Sequence, residues 1–271
     1  MKFDQVHLVG LGGTGSHLAL PLVQLLTYHT NGTRSVVFWD GDDYEQKNQE
    51  RQAFDSKGLN SNKALVKAQE LKDLNPDITV YDFWCTRESF QTHFDNHPAK
   101  LVLVVLAVDN DATRNQLINY FDRLDPSQSF VFVLPGNGFT SFNTFWYGRL
   151  LGEVCPVHPF EVADNWQFPK DGMPGGCGAV VKSSPQIITA NFGAAWSSLL
   201  RIYCLLEDKP MPFNLDHQLD SFAMFAEGRP KYFSEKTLKA VEAFQASNTI
   251  AVSSSAPAEK SVSAAVEKAS S

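Results

Sequence analysis

Short apolar segments alternate with amphipathic segments along the first half of this chain. Apolar positions recur at helical spacing in residues 18–26, 63–74 and 117–124. Between these segments lie apolar runs of strand length, at residues 6–9, 35–39, 78–84, 101–107 and 130–134. Strands that alternate with helices are typical of a parallel sheet with crossover helices, so the pattern predicts an α/β fold with a doubly wound, mostly parallel sheet. Residues 101–107 are almost wholly leucine and valine, which is expected of a central strand beside residues 6–9.

Beyond residue 136 the pattern becomes irregular. We expect an antiparallel strand at residues 143–147, followed by a long loop rich in proline and glycine at residues 151–184. A strongly apolar helix over residues 185–206 is expected to cover the sheet, with a role in contacting a second chain as the alternative. A last strand and helix are predicted at residues 221–226 and 234–246, which gives an antiparallel C-terminal extension to the sheet. From residue 247 the chain lacks aromatics, so we predict one domain over residues 1–246 and a disordered tail over residues 247–271.

Composition narrows the class of protein. The formal net charge of −7 argues against non-specific nucleic-acid binding. The longest apolar run, residues 101–108, is far shorter than the roughly 20 residues of a membrane helix, and no signal-peptide pattern opens the chain. No C-x-x-C pair occurs, so neither a structural zinc nor a disulfide framework is indicated for the four cysteines, Cys85, Cys155, Cys177 and Cys204. These features predict a cytoplasmic protein with reduced thiols.

A glycine-rich turn joins the first predicted strand to the first predicted helix. Gly10, Gly12 and Gly15, with Gly13 between them, form G-x-G-x-x-G in the segment GLGGTGS. Glycine lets a backbone approach a polyphosphate closely, and the N–H groups that open a helix favour an anion. The turn is therefore typical of a Rossmann-like nucleotide site, and a tight strand–helix turn without a ligand is the alternative.

Polar residues follow the predicted strands where open α/β sheets bind ligands, at the carboxyl ends of the strands. Asp40 ends the second strand and is suited to accept hydrogen bonds from a ribose, which NAD and ATP offer equally. The two polar loops contain Asp40, Asp42, Asn48, Arg51 and Gln52 in the first, and Asp109, Asn110 and Arg114 in the second. Each residue has a structural alternative as a turn cap, a loop brace or an exposed charge, and bracing is the expected role of Gln52 and Arg114.

Taken in order, the motifs resemble a known family. The glycine loop, D-x-D at Asp40, N-x-x-R-Q at Asn48, a helical lysine at Lys63 and D-N-x-x-x-R at Asp109 are similar to the ThiF/MoeB/HesA family. This is the adenylating fold of ubiquitin-activating enzymes, and the comparison fits its small bacterial or mobile-element branch best. The resemblance covers about residues 6–206. Nicotinamide dehydrogenases are not expected to carry the N-x-x-R-Q and D-N-x-x-x-R motifs together.

The resemblance implies an ATP-dependent adenylyltransferase. A carboxylate, commonly the C-terminal glycine of a ubiquitin-like or sulfur-carrier protein, attacks the α-phosphate and releases pyrophosphate. Asp40 would hold the ribose, Asn48 and Arg51 the triphosphate, Lys63 the phosphates, and Asp109 a Mg²⁺ ion. Asp42 and Asn110 complete the implied ATP-binding set, and a guanidinium, an ammonium and a carboxylate-bound Mg²⁺ suit a transfer that depends on positioning and charge neutralisation.

Further expectations concern the thiol, the partner and the departures from the family. Cys177, in PGGCGAV, matches the position of a cysteine on the family's crossover loop, and a packed, inert thiol is its alternative. The family commonly forms dimers, so a homodimer is expected.

The zinc-binding cysteine pairs of many relatives are absent. Many relatives also carry an N-terminal arm whose arginine reaches the partner's ATP. This chain begins a few residues before its first strand, so another arginine substitutes or the site is incomplete.

Three alternative functions remain at this point. The chain is a non-catalytic partner subunit that retains the fold, or it activates a carboxylate on a small molecule or a tRNA. A nicotinamide dehydrogenase is the most remote alternative.

Overall fold

The computed structural model describes residues 1–156, 187–212, 214–218, 223–227 and 232–253. These residues form a nine-stranded sheet flanked by helices. The strands are β1 Gln5–Val9, β2 Val36–Trp39, β3 Thr79–Tyr81, β4 Leu101–Leu106, β5 Ser129–Asn137, β6 Ser141–Leu150, β7 Glu153–Cys155, β8 Asn214–Gln218 and β9 Ala223–Glu227. The α-helices are α1 Gly13–Tyr28, α2 Lys63–Leu71, α3 Arg87–Asn96, α4 Asp111–Asp122, α5 Ile188–Leu206 and α6 Glu235–Ser253.

The sheet has a parallel half and an antiparallel half. Its order is β3-β2-β1-β4-β5-β6-β8-β9, with β7 paired to β6. Pairing is parallel from β3 to β5 and antiparallel from β5 to β9. The strand β4 lies beside β1, with Leu103 opposite Val6, as the apolar pattern predicts. The predicted Rossmann-like, doubly wound fold with an antiparallel C-terminal extension is confirmed.

Helices cover both faces of the parallel half, which explains why β4 is apolar at every position. Leu103 and Val105 point into a core shared with α1 and α5. The alternate residues Val102 and Val104 point into a second core, shared with α3 and α4. All six residues of β4 are buried.

Side-chain caps begin three of the helices. Asn62 caps α2, Thr86 caps α3 and Asn110 caps α4, each by accepting a backbone N–H of the first turn. The helix α1 begins at the glycine loop and has no side-chain cap. The amino end of α1 is thus the one of these four at which no side chain competes with an anionic ligand for the first N–H groups.

Several elements differ from the sequence-based expectation. The strand β3 ends at Tyr81 rather than at residue 84, and α2 ends at Leu71 rather than at residue 74. The pattern missed α3, β7 and β8. The helix α3 has a narrow buried face formed by Phe90, His93 and Phe94, and a histidine in that face hides the apolar period.

The C-terminal expectations are met only in part by described residues. The long loop predicted at residues 151–184 is described as far as residue 156, including β7 with its buried Cys155, and Cys177 lies outside the described residues. The helix α6 continues to Ser253, past the predicted boundary at residue 246. The division into a domain over residues 1–246 and a disordered tail stays a prediction. In the described parts of the chain, no helix combines the length and the apolar character needed to cross a membrane.

Candidate active site

The glycine loop is held tightly between β1 and the end of β4. Gly10 has a φ of +88°, and a Cβ there would lie 2.8 Å from the carbonyl oxygen of Ala107. A Cβ on Gly15 would lie 1.9 Å from the carbonyl oxygen of Gly10. Both positions therefore require glycine, the first for its backbone conformation and its close approach, the second for the approach alone.

The other two glycines differ in what they face. Gly12 lies on the wall of a cavity, and the nearest atom to a Cβ there would be Gln52 Nε2 at 3.8 Å. A Cβ on Gly13 would lie 2.6 Å from Asn191 Nδ2, on α5. The loop is thus open towards the cavity at Gly12 and closed against α5 at Gly13.

Asp40 holds the glycine loop in place through hydrogen bonds to backbone N–H groups. One of its carboxylate oxygens accepts the backbone N–H of Leu11 at 2.6 Å, and the other accepts that of Asp42 at 2.9 Å. The side chain is buried, and this burial raises the pKa of its carboxyl against the opposing effects of Lys63 and the two backbone donors. The sequence pattern suggested ribose binding for Asp40, with a turn cap as its structural alternative; the bond to Asp42 is such a cap, whereas the bond to Leu11 was not expected.

Lys63 begins α2 and points back towards the Asp40 loop. It is 6% exposed, and its ammonium donates to Asp42 Oδ2 at 3.0 Å. The neighbouring cap Asn62 donates from Nδ2 to the carbonyl oxygens of Asp40 and Asp42, at 2.8 and 3.2 Å. The start of α2 is therefore pinned to the loop, with a buried cation at the cavity wall.

Asn48 and Arg51 lie in and after a short 3₁₀ turn, Gln46–Glu50. The side chain of Asn48 is buried, and its Oδ1 accepts the backbone N–H of Glu45 at 2.8 Å. The backbone N–H groups of Arg51 and Gln52 both donate to the carbonyl oxygen of Asn48, at 3.1 and 2.8 Å. Gln52 is also buried, and its Oε1 has no hydrogen-bond partner among the described residues.

The second polar loop lies at the end of β4. Asp109 is exposed and lines the cavity, whereas Asn110 uses its Oδ1 to cap α4 through the N–H of Thr113 at 2.9 Å. Arg114 donates to the carbonyl oxygens of Val108 and Pro135, at 2.7 and 2.6 Å. Arg114 thus braces the loop, in line with the role expected for it.

These elements enclose a cavity of about 430 Å³, within the range of small-molecule sites. Of the residues predicted to bind the cofactor, Gly15 lies beneath the loop and is not part of the cavity wall. The others line the cavity: Gly10, Gly12, Gly13, Asp40, Asp42, Asn48, Arg51, Lys63, Asp109 and Asn110. Cys177 lies outside the described residues, so its distance from this cavity is not defined.

Sequence reasoning missed several residues of the cavity wall. Trp39 and Asn137 stand at the ends of β2 and β5, where the strand-end rule offered a signal that was not used. The third strand was predicted to end at residue 84, so Trp84 and Cys85 offered the same unused signal, although β3 itself ends at Tyr81. The ring of Trp84 lies close to Gly41, where a Cβ would meet it at 2.6 Å.

The wall suits a nucleoside triphosphate with a magnesium ion. Lys47, Arg51 and Lys63 provide positive charge beside the uncapped start of α1, and the unpartnered Gln52 Oε1 offers an acceptor. Within the described residues no three His, Cys, Asp or Glu side chains are grouped as a metal site. Mg²⁺ at nucleotide sites is often held by one or two carboxylates together with substrate phosphates, and the exposed Asp109 carboxylate fits that role.

Comparison with known proteins identifies relatives. A model of the ThiF family matches residues 1–124, which run from β1 through α4 and carry the glycine loop and both polar loops. The sulfur carrier protein ThiS adenylyltransferase of Escherichia coli is 33% identical over 117 residues, covering 42% of this chain and 43% of that protein. The chain thus spans less than half the length of this curated relative.

Solved structures share the fold. PaaA superposes with a TM-score of 0.58 at 14% identity, covering 84% of this chain and 64% of that one. MccB of E. coli, solved with AMPCPP and MccA, gives a TM-score of 0.55 at 16% identity, covering 85% of this chain and 64% of that one. MccB has also been solved with ATP.

Proposed function

From the match of residues 1–124 to the ThiF family, which confirms the resemblance seen in the motifs, we propose that this protein is an ATP-dependent adenylyltransferase. It activates a carboxylate as its acyl-adenylate and releases pyrophosphate. The observation that carries the proposal is the convergence of Arg51, Lys63 and Asp109 on one cavity beside the uncapped start of α1. The ATP named for MccB is further support.

In this reaction a carboxylate oxygen forms a bond to the α-phosphorus, and the bond from that phosphorus to the bridging oxygen breaks as pyrophosphate leaves. Arg51 and Lys63 hold the phosphates and neutralise the charge that develops on them, with Asn48 beside them. Asp40 accepts from the ribose hydroxyls with lone pairs that its two backbone donors leave free. Asp109 would hold Mg²⁺, which would supply charge neutralisation at the phosphates.

For the acceptor we propose the C-terminal glycine of a small ubiquitin-like or sulfur-carrier protein. The names of two relatives support a polypeptide acceptor, because one is a sulfur carrier protein adenylyltransferase and the other was solved with MccA. Cys177 would act after adenylation, either as a thiolate that attacks the acyl-adenylate to give a thioester and release AMP, or as a persulfide whose outer sulfur comes from a sulfane-sulfur donor. A cytoplasmic location and the homodimer remain predictions of the same proposal.

The first experiment compares two neighbouring carboxylates. Asp109 lines the cavity, whereas Asp111 lies outside it and pairs with Arg114 at 3.3 Å. Asp109→Ala should abolish ATP–pyrophosphate exchange in the presence of the acceptor, while Asp111→Ala retains it. Cys177→Ala should spare exchange and block only the later transfer. Equal exchange in the Asp109→Ala variant and the wild type would remove Asp109 from the site.

A search of the neighbouring open reading frames for a small protein that ends in Gly-Gly would identify the acceptor. Calorimetry with MgATP separates the enzyme from the alternative of a non-catalytic partner subunit, which would not bind ATP. A gel shift with tRNA tests the tRNA-borne carboxylate, and a fluorescence titration with NADH tests the dehydrogenase.

A further inference from the structure

The peptide groups on both sides of Arg51 are fixed by hydrogen bonds. Its N–H donates to the carbonyl oxygen of Asn48 at 3.1 Å. Its carbonyl oxygen accepts two hydrogen bonds, one from His17 Nε2 and one from Asn191 Nδ2, each at 3.1 Å. Because a carbonyl oxygen has two lone pairs, these two donors satisfy it fully.

Asn191 is a fully buried amide in α5, a mostly apolar helix that also buries Ser197, Ser198 and Arg201. Besides donating to Arg51, it accepts a hydrogen bond at its Oδ1 from Asn137 Nδ2. It also fills the space over Gly13 that a Cβ would otherwise occupy. One side chain therefore joins three parts of the cavity wall, namely the glycine loop, the Arg51 turn and the end of β5.

His17 approaches the same carbonyl from α1. Since a carbonyl oxygen only accepts, His17 Nε2 carries the hydrogen, and its ring packs edge-on against Phe192 with the centroids 6.0 Å apart. The preceding residue strengthens the link, because Ser16 Oγ accepts the backbone N–H of Ala53 at 3.0 Å. The segment that carries Arg51 is thus tied to the first turns of α1 by two side chains.

We propose that Asn191 and His17 are positioning residues that hold the backbone of Arg51 so that its guanidinium faces the phosphates of ATP. The proposal rests on the proposed function, because it assigns Arg51 to the triphosphate. Binding of the triphosphate must order both the backbone of Arg51 and its flexible side chain. Because the backbone is already fixed, only the side chain remains to be ordered. Neither residue contacts the nucleotide in this role; both act through Arg51.

The test measures two affinities by calorimetry, one for MgATP and one for adenosine, which lacks phosphates. Asn191→Ala and His17→Ala should each weaken MgATP binding by about tenfold, because the Arg51 carbonyl loses one of its two donors and binding must then order the Arg51 backbone. Adenosine binding should stay the same. His17→Gln places an amide donor near the position of Nε2 and should restore MgATP binding to within about threefold of the wild type.

A control and a double-mutant cycle complete the design. Ser198→Ala removes another buried polar group of α5, whose hydroxyl donates to the carbonyl oxygen of Ala194 in the same helix at 2.8 Å, and it should leave both affinities unchanged. In an Arg51→Ala background, Asn191→Ala should produce no further loss of MgATP affinity, because the residue that it positions is gone.

The outcomes separate this inference from the proposed function. If the wild type binds no MgATP, both fall. If the wild type binds MgATP and the Asn191→Ala and His17→Ala variants bind it equally well, only the inference falls. Loss of adenosine affinity in parallel with MgATP, or full additivity with Arg51→Ala, would assign the two residues to general stability and overturn it. Should Asn191→Ala fail to fold, the His17→Ala and His17→Gln pair, at a half-buried site, decides alone.

Discussion

Several site residues of this protein carry structural bonds as well as the chemistry proposed for them. Asp40 holds Leu11 and Asp42, and Asn48 closes its own turn onto Glu45. Substituting either residue would disturb the cavity wall in addition to removing a ligand contact. Variants of these two residues therefore cannot separate a loss of ligand binding from a disturbed cavity wall. A residue that has a structurally similar counterpart outside the cavity allows that separation, because the counterpart serves as a control.

Lys63 and Lys67 form such a pair on α2. They are 6% and 5% exposed, and each has an acidic partner, Asp42 at 3.0 Å and Glu70 at 2.6 Å. Only Lys63 belongs to the cavity wall. Lys63→Met should weaken MgATP binding by about tenfold or more, since a charged contact to phosphate is lost. Lys67→Met should leave the affinity within about twofold.

Calorimetry on both variants measures their affinity for MgATP, and thermal denaturation measures their stability. Each variant removes a buried ammonium from an ion pair whose acidic partner is partly exposed, so both should lose some stability and stability alone should not distinguish them. An equal fall in MgATP affinity in the two variants would contradict the assignment of Lys63 to the phosphates.

At the scale of elements, a cluster of hydrogen-bonded polar side chains links β1, β2, β3 and α3 on the face of the sheet that α3 covers. Gln5 Oε1 accepts from His7 Nε2 and from His93 Nε2, each at 3.2 Å. The other nitrogen of His7 accepts from Trp39 Nε1 at 3.2 Å, and that of His93 accepts from the Tyr81 hydroxyl at 2.8 Å. In this arrangement each histidine donates once and accepts once, so both rings are neutral.

This cluster predicts acid sensitivity of the fold. Burial, reinforced by the neighbouring His97, lowers the pKa of His93 to about 4, and burial lowers the pKa of His7 well below the ordinary 6.5. As the pH falls below about 6.5, the unfolded chain binds protons that the native rings exclude. The free energy of unfolding should therefore fall between pH 6.5 and 5, by at most about 1.4 kcal/mol per pH unit for each ring.

Urea denaturation at a series of pH values measures this dependence. Burial also lowers the pKa of His17, so three rings contribute to this dependence, and His93→Gln should reduce the slope by about a third. An unfolding free energy that is constant or rises as the pH falls over this interval would refute the neutral cluster.

At the scale of the whole molecule, α5 carries an exposed apolar stripe among the described residues. Its inner face packs into the core, which agrees with the expectation of a helix that covers the sheet. Its outer face exposes, at helical spacing, Ile188, Phe192, Trp196, Leu200 and Tyr203, which are 48, 60, 51, 40 and 38% exposed. The only charged residue of α5 is Arg201, which is buried. Apolar patches of this kind often mark contact surfaces.

The homodimer that the family resemblance implies remains a prediction. We expect this apolar stripe to form the contact between the two chains, and a charge placed in it tests the prediction. Sedimentation velocity should show a dimer for the wild type and a monomer for Trp196→Glu, because a charge in an apolar contact is costly. Far-UV circular dichroism should be the same for both. A monomeric wild type at micromolar concentration, or a Trp196→Glu variant that stays dimeric, would contradict the prediction.

The sequence alone determined the parallel half of the sheet and the main residues of the cavity wall. Strand runs such as residues 101–107 and the glycine loop are local signals, because period and turn chemistry depend on neighbours along the chain. Since the carboxyl ends of parallel strands meet at one edge, knowing the order of the strands was enough to bring Asp40, Arg51 and Asp109 together.

Apart from Arg114, whose bracing role was expected from the sequence, tertiary structure decided which side chains support that wall. Asn191 reaches Arg51 across 140 positions, from a mostly apolar helix whose spacing does not indicate which of its polar residues contacts another segment. His93 is a core residue only because Gln5 and Tyr81 satisfy its two nitrogens. Burial and hydrogen bonding of a polar side chain depend on partners distant in sequence, and no local pattern records those partners.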